Sequence, residues 1–174
     1  MNKLINALGF QAGWWACIAG VGRGFELEAI GFCALLACAH LYFAQFPQQE
    51  LKLAALALLL GVLLDASLQQ FAVIDFYGWA LGPLSPFWLW ALWVLFAFTL
   101  NSSLAFLQKQ PRVTAALLGL VFGPLTYYAG AKLGAAALDA SPTHMFLIAL
   151  GWMLAMPLLV IAAQHTSHIP KETP

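Results

Sequence analysis

A few polar side chains interrupt long apolar runs, and they are the residues whose chemistry needs an explanation. Asp65 and Gln69 stand one helical turn apart in a run rich in Leu and Ala, and Tyr127, Tyr128 and Lys132 cluster in a later one. An ionised carboxylate inside hydrocarbon is costly unless it is paired, protonated or reached by water. Asp65 is therefore predicted to bind a ligand with Gln69 and with Lys132 or the two tyrosines. The alternative is a neutral acid that only joins neighbouring helices.

Three further polar residues lie deeper in the apolar runs. At 1.5 Å per helical residue, Gln11 is about 12 Å into the first run and His40 about 18 Å into the second, so both are predicted near mid-membrane. His40 could carry a proton or bind a head group, or it could be a neutral packed residue hydrogen bonded to a group such as Gln11. Asn101, in the fourth run, is expected to hydrogen bond between helices.

Motifs for metal or cofactor chemistry are missing from the sequence. The three cysteines, Cys17, Cys33 and Cys38, are odd in number and lack CxxC spacing, and His165 and His168 have no further ligands beside them. The glycine, serine and histidine patterns of nucleotide sites, serine hydrolases and zinc proteases are also missing. We therefore predict neither a metal nor a cofactor.

The composition is that of a membrane protein. Of the 174 residues, 63% are hydrophobic and 8% are charged, whereas soluble domains carry about 25% charged residues. Two runs of roughly 22 apolar residues meet at the basic turn QKQPR, and each is long enough to cross ~30 Å of hydrocarbon. Nucleic-acid binding is excluded because the net charge is zero and no larger basic cluster exists.

The pattern of runs predicts an all-α, polytopic transmembrane helical bundle of six spans in a single domain over residues 1–164. The spans are expected at about 4–21, 29–46, 51–73, 86–107, 113–137 and 143–164. A broken segment at 74–85 is expected to lie at the membrane surface, since it combines two glycines and a proline with interfacial aromatic residues. Residues 165–174 are predicted to form a polar cytoplasmic tail.

Charge distribution predicts the orientation. With six spans, both termini share one side, and that side carries most of the basic residues, which short cytoplasmic loops collect. These residues are Lys3, Lys52, Lys109, Arg112 and Lys171, against Arg23 and the nearby Lys132 on the other side. Both termini are therefore predicted to be cytoplasmic.

Pairs of glycines four residues apart predict close helix approaches. These pairs are Gly9 and Gly13, Gly119 and Gly123, and Gly130 and Gly134. Small-xxx-small faces allow helices to pack closely in membranes, within one chain or between chains. The partners predicted from the sequence are membrane lipid and, through these faces, a homo- or hetero-oligomer.

Four blocks of the sequence resemble a bacterial family of small integral membrane proteins of uncharacterised function, domain of unknown function 2878. The blocks are LINALGFQAGWWACIAG, GVLLDASL, PFWLWALWVLFAFTLNSSLAFLQ and GPLTYYAGAKLGA. The resemblance covers about residues 2–164 and implies an inner-membrane location and a multi-helix fold, without an established activity. It also hints at lipid or oxidative-stress physiology, since members of the family are often encoded near lipid-modifying genes. Where the family tends to carry a histidine, this chain has Ser102.

Together these observations predict an intramembrane polar cluster that binds or passes a small amphipathic, lipid-related molecule, with a cavity opening near Asp65. Two alternatives stay open. One is a membrane-embedded lipid-modifying enzyme, which requires two titratable groups at a common pocket. The other is a non-catalytic subunit or assembly partner of a membrane complex.

Overall fold

The computed structural model describes residues 2–166 and consists of six α-helices, a short 3₁₀ helix and two two-residue strands. The helices are α1 (Lys3–Arg23), α2 (Glu26–Tyr42), α3 (Pro47–Gln70), α4 (Phe87–Leu100), α5 (Arg112–Lys132) and α6 (Pro142–Thr166), with the 3₁₀ helix at Ala105–Lys109. The all-α prediction is confirmed. His168, Lys171 and the tail beyond Thr166 lie outside the described residues.

Five of the helices are long and apolar enough to cross a membrane, namely α1, α2, α3, α5 and α6. The fourth is shorter than its predicted span of 86–107, because α4 has 14 residues and rises about 21 Å. The sequence Asn101-Ser102-Ser103 follows its last turn, and such side chains compete with the helical backbone for hydrogen bonds. Gln108 Nε2 then donates to the Leu100 carbonyl at 2.9 Å and to Asn101 Oδ1 at 3.0 Å, which satisfies the end of the helix.

The short helix α4 is the centre of the bundle. It packs against α1, α2, α3 and α6, and each of its residues is buried or half-buried. A helix that is hydrophobic on all sides is suited to such a position. The surrounding helices expose apolar side chains such as Leu35, Leu59 and Phe146 on their outer faces, as expected for a surface in contact with lipid.

One end of the bundle carries a small antiparallel sheet that the sequence pattern did not predict. Strand β1 (Asp75–Phe76) pairs with β2 (Ala136–Ala137), with Phe76 opposite Ala136. The fifth span was expected to continue to residue 137, but α5 ends at Lys132 and Gly134, at φ +91°, turns the chain toward the strand. We call this side of the bundle the sheet end.

The connection between α2 and α3 is also shifted from its predicted position. The second span was expected at 29–46 and the third at 51–73, whereas α2 ends at Tyr42 and α3 begins with Pro47 at its first position. Proline is favoured there because its missing N–H would have no helical partner. As a result His40 lies in the last turn of α2 and not in the middle of a span.

The described chain begins and finishes at the same side of the bundle, which we call the opposite end. Asn6 accepts a hydrogen bond from Ser103 Oγ at 2.7 Å, and Gln164 Nε2 donates to the Gln108 carbonyl at 2.6 Å. Both contacts anchor terminal helices to the segment that joins α4 to α5. The first and last helices therefore have their free ends on one side of the bundle.

Candidate functional site

Asp65 is completely buried inside the bundle, with 0% of its surface exposed. Trp93 Nε1 of α4 donates to Asp65 Oδ2 at 2.7 Å, and the Tyr127 hydroxyl of α5 donates to Oδ1. One carboxyl group on α3 thus joins three helices. We call Asp65, Trp93, Tyr127 and the adjoining Trp152 the Asp65 cluster.

Trp152 of α6 completes this cluster through ring contacts. Its ring stacks on Trp93 with centroids 4.9 Å apart and planes at 12°, and its centroid lies 6.0 Å from that of Tyr127. Trp152 Nε1 is buried and forms no hydrogen bond of regular geometry within residues 2–166. The aromatic side chains therefore form a continuous layer next to the carboxyl group.

Glycines give the two indole rings the space they occupy. A Cβ atom at Gly61 would overlap the ring of Trp93, and one at Gly123 would overlap Trp152. At Gly119, a Cβ atom would overlap the backbone carbonyl of Trp152. The predicted step from Gly119 to Gly123 is thus a packing surface for α6 within the same chain.

The partners of Asp65 are neutral donors. In the described part of the chain, no lysine or arginine forms an ion pair with it. Lys132 lies on the exposed face of α5, with Nζ 5.3 Å from the ring centroid of Tyr128. The structure therefore brings Asp65 and Tyr127 together but places Tyr128 and Lys132 elsewhere.

Gln69 is half-buried one turn beyond Asp65 on α3, as its spacing predicted. Its Oε1 atom is buried and accepts no hydrogen bond from the described residues. It does not contribute a hydrogen bond to the carboxyl group of Asp65.

The three deeper polar residues lie at separate places. His40 is buried at the opposite end, stacked on Phe98 with centroids 4.2 Å apart, and its Nε2 lies 3.4 Å from Glu50 Oε2. Gln11 is exposed on α1, and Asn101 Oδ1 accepts from Gln108. The suggested pairing of His40 with Gln11 is not formed, because the last turn of α2 faces the start of α3.

A cavity of about 530 Å³ lies between α1, α4, α5 and α6. Toward the sheet end of the bundle, the cavity is lined by Ile74, Phe76, Ala135 and Ala136. Toward the opposite end, it is lined by Leu104 and Leu107. Its walls are apolar and rich in aromatic side chains, which include Phe10, Trp14, Trp88, Trp93, Phe96 and Trp152. We call this space the lateral cleft.

The lateral cleft and the Asp65 cluster share a wall. Trp93, Tyr127 and Trp152 line the cleft, whereas Asp65 does not. The expected cavity is thus present beside Asp65, but the carboxyl group is separated from it by one layer of aromatic side chains. Asp65 accepts hydrogen bonds from two of the residues that form this layer, Trp93 and Tyr127.

The cleft reaches the outer surface of the bundle between α1 and α5. Gln11, Phe122 and Thr126 line the cleft and are also exposed. At the sheet end the two helices approach closely, since a Cβ atom at Gly130 would lie 3.3 Å from Ile18. Elsewhere α1 and α5 make little direct contact, and the gap between them opens on the side of the bundle.

The sequence pattern singled out Gln11 on the cleft-facing side of α1 but did not single out Trp152. Two signals pointed to this region, namely the tryptophans of α4 and the step from Gly119 to Gly123. Interfacial aromatic residues are typical at the start of such a run, but Trp88, at that start, and the deeper Trp93 are each 3% exposed. Their position inside the bundle follows from the central placement of α4.

Comparisons with known proteins give a family without an activity. The family model described as Protein of unknown function (DUF2878) matches residues 3–158, which include the Asp65 cluster and the whole lateral cleft. No curated protein and no solved structure is detectably similar to the chain.

Proposed function

From the premise that this chain belongs to the DUF2878 family, whose function is unknown, we propose that its lateral cleft binds or passes a small amphipathic, lipid-related molecule within the membrane. The observation that carries this proposal is an apolar cavity that opens sideways between two apolar helices. A molecule dissolved in the bilayer could enter such a cleft without crossing water.

The size and chemistry of the cleft support this proposal. Its volume of about 530 Å³ lies within the range of roughly 300–1,000 Å³ typical of small-molecule sites. Apolar and aromatic side chains dominate its walls, with Gln11 and Thr126 as polar groups at the mouth. This arrangement suits a ligand with a large apolar part and a small polar part.

The enzymatic alternative has less support. Among the described residues that line the cleft, only Tyr127 has a titratable side chain. In this part of the chain, the lining contains no Asp, Glu, Lys, Cys or His. The Tyr127 hydroxyl already donates to Asp65. General acid–base chemistry needs a second group within reach of the same substrate atom.

The subunit alternative also has less support from the packing. Gly13 faces Leu95 and Cys33, and Gly119 and Gly123 face α6, so these close-approach faces are used within the chain. A partner protein docking on them would have to displace these contacts.

The location proposed is a bacterial inner membrane with both chain ends in the cytoplasm. The basic residues Lys3, Lys52, Lys109 and Arg112 lie toward the opposite end, against Arg23 and Lys132 toward the sheet end. Short cytoplasmic segments are enriched in Lys and Arg, which supports a cytoplasmic position for the opposite end.

The proposal is tested by blocking the mouth of the cleft. Thr126→Trp places a bulky ring at the opening, and Leu125→Trp places the same ring on the neighbouring exposed position outside the cleft. Lipids retained through detergent purification are then quantified by mass spectrometry. We expect a bound species in wild type and Leu125→Trp that is lost in Thr126→Trp. Equal retention by both variants would contradict binding in the cleft.

A further inference from the structure

We infer that the ligand of the lateral cleft is a neutral lipid bearing a flat ring with carbonyl oxygens, which is the chemistry of a membrane quinone. This inference rests on the proposed function and specifies the ligand class. Three properties of the cleft carry it: the aromatic lining, the lack of charge, and an unpartnered amide at the mouth.

The aromatic lining favours a planar ring over a simple acyl chain. Ten of the 27 residues that line the cleft are Phe, Tyr or Trp. Trp14 contributes from α1, Phe96 from α4 and Phe122 from α5, so rings face the cavity from opposite walls. Aromatic side chains pair with other rings by stacking and edge-to-face contacts, whereas a flexible chain needs only apolar surface.

The lack of charge excludes ionised ligands. Among the residues that line the cleft in the described chain there is no Lys, Arg, His, Asp or Glu. A phosphate or carboxylate drawn into the cleft would be left without a counter-charge in an apolar surrounding, which is costly. A quinone ring carries polar oxygens and no net charge.

Gln11 supplies the hydrogen bond that such a ring requires. It is exposed about 12 Å along α1, and it makes no hydrogen bond to any residue from 2 to 166. An unsatisfied amide facing hydrocarbon is unfavourable, and a carbonyl oxygen at the mouth would accept from its Nε2 atom. The nearby Thr126 hydroxyl is already used, because it donates to the Phe122 carbonyl at 2.7 Å.

The test is a titration of the purified protein in detergent with decylubiquinone, read from quenching of tryptophan fluorescence. The cleft is lined by Trp14, Trp88, Trp93 and Trp152, so a bound quinone ring lies close to several fluorophores. N-acetyltryptophanamide in the same detergent measures quenching that does not depend on the protein. We expect saturable quenching by wild type.

Two variants show where the quinone binds. Gln11→Met keeps the length of the side chain but removes the donor, and we expect about tenfold weaker binding, the effect of losing one good hydrogen bond. Gln48→Met alters an exposed glutamine of α3 outside the cleft and is expected to bind like wild type. Thr126→Trp should abolish saturable quenching, and this variant decides the question if Gln11→Met does not fold.

The outcomes separate this inference from the proposed function. Non-saturable quenching, or equal affinity of Gln11→Met and Gln48→Met, would overturn the quinone assignment. If decylubiquinone does not bind while Thr126→Trp still loses a retained lipid that Leu125→Trp keeps, the cleft binds another lipid and only the ligand class is wrong.

Discussion

Trp93 donates its indole N–H to the Asp65 carboxyl group at 2.7 Å, and the same ring forms part of the wall of the lateral cleft. This single bond links a buried acid on α3 to the surface that a ligand would contact. Since Tyr127 uses the second carboxyl oxygen, Asp65 holds two cleft-lining rings at once.

Replacing Asp65 by leucine is expected to destabilise the protein substantially. The change leaves two buried donors, Trp93 Nε1 and the Tyr127 hydroxyl, without an acceptor, at about 1–3 kcal/mol each. Asp65→Asn keeps one acceptor oxygen, and its amide can donate to the Tyr127 hydroxyl, so a smaller loss is expected. Thermal unfolding in detergent measures both. The matched control is Asp139→Leu, at an exposed acid; if Asp65→Leu unfolds at the same temperature as this control, Asp65 has no such role.

Replacing Gly123 by alanine is expected to disrupt the wall of the cleft. A Cβ atom there would overlap Trp152, which stacks on Trp93, and overpacking of this kind costs about 1–3 kcal/mol. Gly31→Ala is the control, since a Cβ atom at this helical position meets open space. It should be neutral or stabilising, because alanine is the better helix former. If Gly31→Ala unfolds at a lower temperature than Gly123→Ala, the packing of Trp152 against Gly123 described above is contradicted.

Replacing Gly78 by alanine is expected to loosen the loop at the sheet end. The Trp79 backbone N–H donates to both oxygens of the buried Glu26 carboxyl group, at 3.0 and 3.1 Å. Gly78 is the residue before Trp79 and has a φ of +117°. A Cβ atom added at this position would lie 2.8 Å from Glu26 Oε2. Hydrogen exchange of residues 71–86 should accelerate in this variant.

The control for that experiment is Gly82→Ala in the same loop. Gly82 also has a positive φ, +58°, but a Cβ atom there meets open space. Backbone strain alone therefore acts in the control, whereas Gly78→Ala adds the clash with Glu26. Equal exchange rates in the two variants would show that the Glu26 contact does not hold the loop.

Reporter fusions are expected to place the two ends of the bundle on different sides of the membrane. Asp139 lies between β2 and α6 at the sheet end, and Thr166 ends α6 at the opposite end. An alkaline phosphatase fused after Asp139 should be active outside the cytoplasm, and one fused after Thr166 should be inactive. Activity of both fusions would refute the proposed orientation, which depends on the positive charges near the opposite end.

The partners of Asp65 show why depth along a helix did not suffice to predict the site. Tyr127 and Tyr128 differ by one residue, hence by about 1.5 Å in depth, but they point about 100° apart around the helix. Tyr127 faces Asp65, whereas Tyr128 is exposed beside Lys132. Lys132, the charge partner expected for Asp65, therefore lies at a suitable depth but on a different face of α5.

The sequence by itself determined that the chain forms apolar helices suited to a membrane, because run length and composition depend only on local residues. It also indicated Asp65 as a residue needing partners, since a carboxyl group is costly in an apolar run. Only the tertiary structure decided that these partners are Trp93 and Tyr127, and that a cleft remains between α1 and α5. Partners and cavities arise from how helix faces are turned and fitted together, and that fit depends on residues far apart in the chain.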